Sequence, residues 1–315
     1  MKTVLITGAT GFIGHFLVEE FIKDHKIICL VRPKTRNLKR IAVYTDRLSI
    51  IEHDISKSLK PLVDSLGTID IILHAGGNAS AADSIADPVS VINDNVIGTI
   101  NLLEFARLQK LERFVYYSSG EVFGPVPNGS DSKETDPYNS NSPYAASKAA
   151  GEELCLSYAS SFGVPVSIVH INNTFGPKCQ VNRLPTIIIN NIMNGKPVNI
   201  HSDLNGNISG RRWFYAGDVA LHTKFILSNQ KLNCEKWNSA GNKFINNLEF
   251  AQLIAQSMQK DLQYELILIN NPNHKLCFSV NPSKLYDLGY KDKFTLEERI
   301  QQTTAWYSKN PSWLL

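Results

Sequence analysis

Little in the 315-residue sequence commits it to a membrane, to nucleic acid or to a metal. Its longest apolar runs fall well short of the roughly 20 residues a membrane-spanning helix needs. The formal net charge is only +3, and no basic cluster is longer than Lys34 to Arg40, a stretch that a solvated loop explains equally well. That leaves no electrostatic footprint for nucleic acid. The five cysteines, Cys29, Cys155, Cys179, Cys234 and Cys277, are odd in number and far apart. Without a Cys-x-x-Cys pair they indicate neither zinc, nor redox chemistry, nor a disulfide framework, and read as reduced packing residues. No metal site is expected. Met1 leads at once into a strand with no room for a signal peptide, so the expected location is cytoplasmic. Internal repeats are absent, and the one biased segment, Pro125 to Ser142, is rich in Ser, Asn, Asp and Pro and reads as a long surface loop.

What is present is concentrated at the start. Val4-Leu5-Ile6 is a short apolar run of the kind buried on both faces of a parallel sheet. Gly8, Gly11 and Gly14 follow, and then Phe16, Leu17, Phe21 and Ile22 recur at helical spacing. Glycines placed where a strand hands over to a helix let backbone N–H groups approach a pyrophosphate, and the helix N-terminus adds partial positive charge. Lys26 to Val31 is a second apolar run, completing a βαβ unit. It ends in Arg32-Pro33 and not in the carboxylate that usually binds the ribose 2′-hydroxyl of NAD. A guanidinium there suits a 2′-phosphate, so the expected cofactor is NADP with NAD as the other option, and a plain surface arginine is the alternative reading of Arg32. Further strands are expected at Leu48–His53, Asp70–His74, Phe114 onward, Pro165–His170 and Trp237–Gly241. A helix is expected over Asn93–Leu108, with Val96, Ile100, Leu103 and Phe105 inward. Another should run over Thr295–Ser308. Ala75-Gly76 after the fourth strand is small enough to let the chain pass close to a cofactor.

Ser142-Pro-Tyr-Ala-Ala-Ser-Lys148 opens a helix in which Tyr144 and Lys148 share one face. A tyrosine of ordinary pKa, about 10, moves protons poorly at neutral pH. A lysine ammonium about 4 Å away, at an effective dielectric of about 20, favours the phenolate by about 4 kcal/mol, or roughly three pKa units. That brings the phenol into the range where general acid/base catalysis works best. The spacing alone is cheap, because chance supplies about one such pair in a chain of this composition with eleven tyrosines. Its strength lies in the order of features: glycine turn, serine-containing loop after the fifth strand, Tyr-Lys helix.

Those features, with Asn95-Val-Ile-Gly-Thr-Ile-Asn-Leu-Leu-Glu104, resemble the extended short-chain dehydrogenase/reductase superfamily over nearly the whole chain. Its members include nucleotide-sugar epimerases, dehydratases and reductases. The resemblance implies an α/β fold, a doubly wound parallel (Rossmann) sheet with a smaller C-terminal α/β substrate lobe and the substrate in the cleft between. The division expected is 1–172 for the dinucleotide-binding domain and 173–315 for the substrate lobe, with about 213–241 returning to the sheet. Cofactor contacts are implied for Gly8, Thr10, Gly11, Phe12, Ile13, Gly14, Arg32, Asp54, Ile55, Ala75, Gly76, Tyr144 and Lys148. Tyr144 is the implied acid/base, Lys148 holds the ribose, Ser119 orients the sugar oxygen, and Glu121 lies near the reacting carbons. A homodimer is also implied.

In the 4,6-dehydratases the loop matching Ser118-Ser-Gly-Glu-Val-Phe-Gly124 reads Thr-Asp-Glu. Ser119 takes the Thr, Gly120 the Asp that protonates the leaving hydroxyl, and Glu121 the Glu that removes the carbon-5 proton. With the acid missing, the loop looks more like that of the 4-keto-6-deoxy-hexose reductases. The first expectation is therefore an NADPH-dependent ketoreductase acting at carbon 4 of a nucleotide-linked deoxysugar. A 4,6-dehydratase, epimerase or decarboxylase recycling tightly bound cofactor is the alternative. A non-catalytic cofactor sensor is a third reading, which the intact Tyr144/Lys148 pair opposes. In the C-terminal part, Asn173, Arg183 and Arg211 match substrate-phosphate contacts, a structural salt bridge being the plainer role for Arg211. Arg212 stands in place of the family's Asp, His170 where it usually has Arg, and Asn271-Pro-Asn-His274 resembles a dehydratase segment without its arginines.

Overall fold

The computed structural model describes residues 1–33, 35, 37–229, 234–269 and 276–315. Five apolar segments form β1 (Thr3–Thr7), β2 (Lys26–Val31), β3 (Leu48–Glu52), β4 (Ile71–His74) and β5 (Arg113–Ser119). With Val166–Ile171 and Glu235–Ser239 they make one seven-stranded sheet, all of whose pairings are parallel. Its order is Glu235–Ser239, Val166–Ile171, β5, β4, β1, β2, β3. The direction of winding reverses between β1 and β4, which makes this a doubly wound Rossmann sheet whose ligand position is the carboxyl edge beside that switch point. Every residue of β4 and β5 is buried, as expected of strands covered on both faces.

Helix α1 (Phe12–Phe21) follows the glycine turn. Gly8 sits at φ +69°, where a Cβ would lie 2.4 Å from the Ala75 carbonyl oxygen, so both conformation and space demand glycine. A Cβ on Gly14 would lie only 1.9 Å from the Gly8 carbonyl oxygen. The short helices α2 (Ala81–Ala86) and α3 (Pro88–Ile92) lead into α4 (Gly98–Leu108), and α5 (Pro143–Phe162) carries Tyr144 and Lys148. Ser142 caps α5 by accepting the Ala145 N–H at 3.1 Å, Pro143 occupies its first turn, and Gly163 ends it in the left-handed region.

Two local readings are corrected. The helix expected over Asn93–Leu108 begins as a π turn, Asn93–Ile97, and only then becomes α4. The wide turn rotates the inward stripe: Asn95, Gly98, Thr99 and Leu102 are buried along with Leu103 and Phe105, whereas Val96 and Ile100 are half-buried. The segment Pro125–Ser142 is no simple surface loop. Val126–Pro127 pairs with Leu276–Cys277, buried Ser132 donates its N–H to Ser279, and Asp131 receives Arg212 at 2.7 and 2.8 Å.

The chain forms two compact units, one of residues 1–124, 134–171 and 217–239 containing the main sheet, the other of 125–133, 172–216 and 240–315. The second unit is built on the stacked pair Trp213 and Phe250, with ring centroids 4.2 Å apart, and on Phe175, Ile188 and Tyr307. Capping boxes at Asn246/Glu249 and Thr295/Glu298 start two of its helices. Among the described residues no helix is long and apolar enough to cross a membrane.

The turn predicts an ordering of glycine variants. Gly14→Ala should cost about 1–3 kcal/mol of stability through overpacking, read as a lower denaturation midpoint. Gly11→Ala, whose Cβ would lie 3.0 Å from the Gly8 oxygen, should cost clearly less.

Candidate active site

The glycine turn leaves α1 capped by Gly11, which offers no side-chain acceptor to the first N–H groups of the helix. Open N–H groups, the positive end of a helix and a turn that tolerates no Cβ form a cradle that fits a pyrophosphate. Phe12 is buried and Ile13 half-buried behind it, and the Thr10 carbonyl is held by buried Arg40 at 3.1 Å. Arg40 was not among the residues the sequence singled out. Gly76, at the end of β4, donates its N–H to Thr7 Oγ1 at 3.0 Å beside half-buried Ala75. Past β3, Asp54 accepts the Ser56 N–H at 2.9 Å, and buried Ile55 packs beside Gly98. Burial pulls the Asp54 carboxyl upward, but the Ser56 hydrogen bonds and the charges of Arg32 and Lys57 outweigh it and leave it below its usual range. Arg32 follows β2 directly, and its Nη2 donates to Asp94 Oδ2 at 2.8 Å.

At the ends of β5 and α5, Ser119, Tyr144 and Lys148 are all buried, and Glu121 is half-buried. Ser119 Oγ accepts the Glu121 N–H at 3.2 Å, shaping the short turn Gly120–Phe123. The Lys148 ammonium lies 4.1 Å from the centroid of the Tyr116 ring, over its electron-rich face. Burial depresses its pKa from 10.5 to about 8, with Glu152 acting in the opposite sense. Lys148 therefore carries its charge at neutral pH in a poorly solvated place, where a charge acts more strongly on its surroundings than it would in water.

A buried chain of hydrogen bonds ties these parts together. Thr7 Oγ1 lies 2.8 Å from His74 Nδ1, His74 Nε2 lies 3.0 Å from Thr99 Oγ1, and Thr99 donates to the Asn95 carbonyl at 2.5 Å. Burial, reinforced by Lys148, lowers the His74 pKa to about 3, so its ring is neutral. Because Thr99 spends its proton on Asn95, the donor count assigns the ring proton to Nε2 and makes Nδ1 the acceptor of the Thr7 hydroxyl. Asn95 Nδ2 donates to Ser147 Oγ at 2.8 Å, and Ser147 donates to the Tyr144 carbonyl at 2.7 Å. The glycine turn and the Tyr144 turn of α5 are thus joined through β4 and the π turn. The only sequence signal was the Asn95–Glu104 match.

A second buried cluster was missed almost entirely. Glu152, one helical turn beyond Lys148, receives Ser118 Oγ, Tyr138 Oη at 2.7 Å and His170 Nε2 at 3.1 Å, with Lys236 Nζ 3.5 Å away. Burial alone would raise its pKa, but His170 and the three hydrogen bonds hold the carboxyl well below the usual range. His170 Nδ1 meets Asn238 Oδ1 at 2.9 Å. Where the family usually has Arg, the carboxylate is thus shared between His170 and Lys236.

The residues matched to substrate phosphate lie in the second unit. Asn173 Nδ2 donates to Asn172 Oδ1 and to the Phe278 carbonyl, at 2.6 and 3.1 Å. Exposed Arg183 stands just before helix Leu184–Met193. Arg211 bonds the Asn247 amide oxygen at 3.2 Å and lies 5.4 Å from the Trp213 ring centroid, whereas the salt bridge to Asp131 belongs to its neighbour Arg212. Asn271–His274 lies outside the described residues.

Sheet, glycine turn and Tyr-Lys helix together define an NAD(P)-dependent enzyme of the short-chain dehydrogenase/reductase type. Residues 4–239 match the NAD dependent epimerase/dehydratase family, and the chain belongs to it. It is similar to a dTDP-glucose 4,6-dehydratase of Xanthomonas campestris pv. campestris, 28% identical over 340 aligned residues that cover all of this chain and 95% of the relative. Among solved structures it is similar to DesIV, a dTDP-glucose 4,6-dehydratase from Streptomyces venezuelae with NAD bound. The identity is 25% and the TM-score 0.85, over 99% of this chain and 98% of that one. It is also similar to a UDP-glucose 4-epimerase of Thermus thermophilus in complex with NAD, at 25% identity and a TM-score of 0.85 over 97% and 99% of the two chains.

The buried ammonium predicts a trade between stability and function. Between about pH 8 and 10.5 the unfolded chain binds a proton that the folded one releases, so wild-type stability should rise with pH across that window. Lys148→Met should abolish this rise and be more stable than wild type at pH 7 by about 3 kcal/mol, while losing activity. Melting curves across the pH range provide the check.

Proposed function

We propose that the chain acts on a uridine- or thymidine-diphosphate sugar, with tightly held NAD, and that epimerisation at carbon 4 is the reaction its site serves best. When bound, NAD would lie at the glycine turn with its ribose at Lys148 and would supply the hydride acceptor and donor for carbon 4. Tyr144 removes the proton of the 4-hydroxyl as that hydride leaves and returns it when the ketone is reduced on its other face. Lys148 stabilises the phenolate and grips the ribose, and the Ser119 hydroxyl orients the 4-oxygen. Atoms and electrons balance with no net change in cofactor.

The observation that carries this choice is the turn after β5. Gly120 stands where the dehydratases have the acid that protonates the leaving 6-hydroxyl, so that position offers no proton donor for loss of water. Net ketoreduction, to which the missing acid first pointed, has less support, because the similar proteins are dehydratases and epimerases, the solved ones with NAD, and the Arg32 guanidinium that agreed with NADPH is engaged by Asp94. Half-buried Glu121 favours a second reading, since it occupies the position of the dehydratase base and is suited to removing a carbon-5 proton.

Purified protein with NAD and a panel of UDP- and dTDP-hexoses should yield the 4-epimer at unchanged mass and unchanged cofactor absorbance. A product lacking one water would replace the first reading with the second. Stoichiometric consumption of NADPH with a 4-keto sugar would overturn both. Tyr144→Phe should lower kcat by roughly 10²- to 10⁴-fold. Glu121→Gln should leave epimerisation within a few-fold of wild type but abolish any dehydration.

A further inference from the structure

The strand that should bear the ribose-reading carboxylate is followed directly by an arginine, yet the solved relatives described above carry NAD. The structure supplies a carboxylate from elsewhere. Asp94, in the π turn 62 residues beyond Arg32, places Oδ2 2.8 Å from Arg32 Nη2. The side chain of Asp94 is only 15% exposed against 58% for Arg32, so the carboxylate is the anchored member and the guanidinium its outer partner. The same guanidinium also acts on Asp54, whose carboxyl it helps to hold down.

We propose that Asp94 stands in for the carboxylate missing from the end of β2 and sets the choice of NAD over NADP; this rests on the reading of the chain as an NAD-binding enzyme. Arg32 stands where this type of sheet places the 2′ position of the adenosine ribose. A free 2′-hydroxyl donates a proton, and a carboxylate held by an arginine is a strong acceptor for it. A 2′-phosphate brings close to two negative charges and no useful donor, so it meets repulsion from Asp94 and must compete for a cation already engaged. Arg32 then works as a positioning residue for Asp94, which reverses the role its identity suggested.

The experiment is equilibrium binding of NAD⁺ and NADP⁺ to purified wild-type protein and variants, by calorimetry or fluorescence, at one fixed ionic strength because the effect is electrostatic. Wild type should favour NAD, and Asp94→Asn should shift the ratio of dissociation constants toward NADP by about tenfold as a like charge is removed and Arg32 released. In the Asp94→Asn background, Arg32→Gln should take that gain away. A gain that survives puts the phosphate on another group and overturns the proposal. Wild-type preference for NADP would overturn the NAD reading itself. Preference for NAD with an unchanged ratio in Asp94→Asn would overturn only the role of Asp94. Should Asp94→Asn fail to fold by circular dichroism, Arg32→Gln alone decides: NAD⁺ should bind several-fold more weakly as Asp94 loses the group that holds it, and an unchanged NAD⁺ dissociation constant overturns the proposal.

Discussion

A lysine ammonium kept out of water is the constraint on which the sheet-bearing unit depends. Lys148 is buried within a helix that also buries Tyr144, Ser147 and Glu152. A charge in such a place is tolerated only when something answers it. The face of Tyr116 lies against it, and the Glu152 carboxylate one turn on acts to keep it protonated. Tyr116 in turn requires the helix backbone to come close: a Cβ on Gly151 would lie 2.1 Å from the Tyr116 hydroxyl. Helix, strand and charge therefore specify one another, and stability is given up in burying the ammonium.

A charge held this way is useful only if its surroundings do not drift, and the hydrogen-bond chain from Thr7 to Tyr144 supplies that rigidity. Each link uses a short side chain with few rotamers, and every donor in it finds an acceptor, as a buried polar network requires. The π turn at Asn93–Ile97 belongs to the same solution. Asn95 lies within it, and its side chain is bonded to both Asn78 and Ser147. The irregularity is thus a positioning device, in keeping with the frequent occurrence of π turns at functional sites.

What was legible in the sequence was local. The apolar runs of β1 to β5, the glycine turn and the helix opening at Ser142 are each written within a few consecutive residues, and the structure reproduces their bounds to within one or two positions. The π turn was not legible, because Asn93 to Leu108 satisfies a helical period whether or not one extra residue is inserted. Nor was the cluster around Glu152, whose members Ser118, Tyr138, His170 and Lys236 come from four separate segments. His170 was noticed only as a departure from Arg. Its meaning needed Lys236, a residue of the edge strand with no motif to announce it. Pro125–Ser142 misled for the opposite reason: a composition typical of loops concealed an aspartate and a serine that anchor the segment.

The arginines show most clearly why residue type at a motif position underdetermines its role. Arg211 and Arg212 are neighbours with the same chemistry, yet Arg212 is bound to Asp131 and two backbone carbonyls while Arg211 meets a neutral amide and an indole face. A guanidinium that already has a bidentate carboxylate has little left to offer a diphosphate. Arg32 follows the same logic. Its position suggested a phosphate ligand, and its counter-charge, 62 residues away, argues that it serves a carboxylate instead. A motif names the groups available at a site, but long-range pairing decides how much of each charge is already answered, and in this chain that pairing ties Arg212 to Asp131 and Arg32 to Asp94.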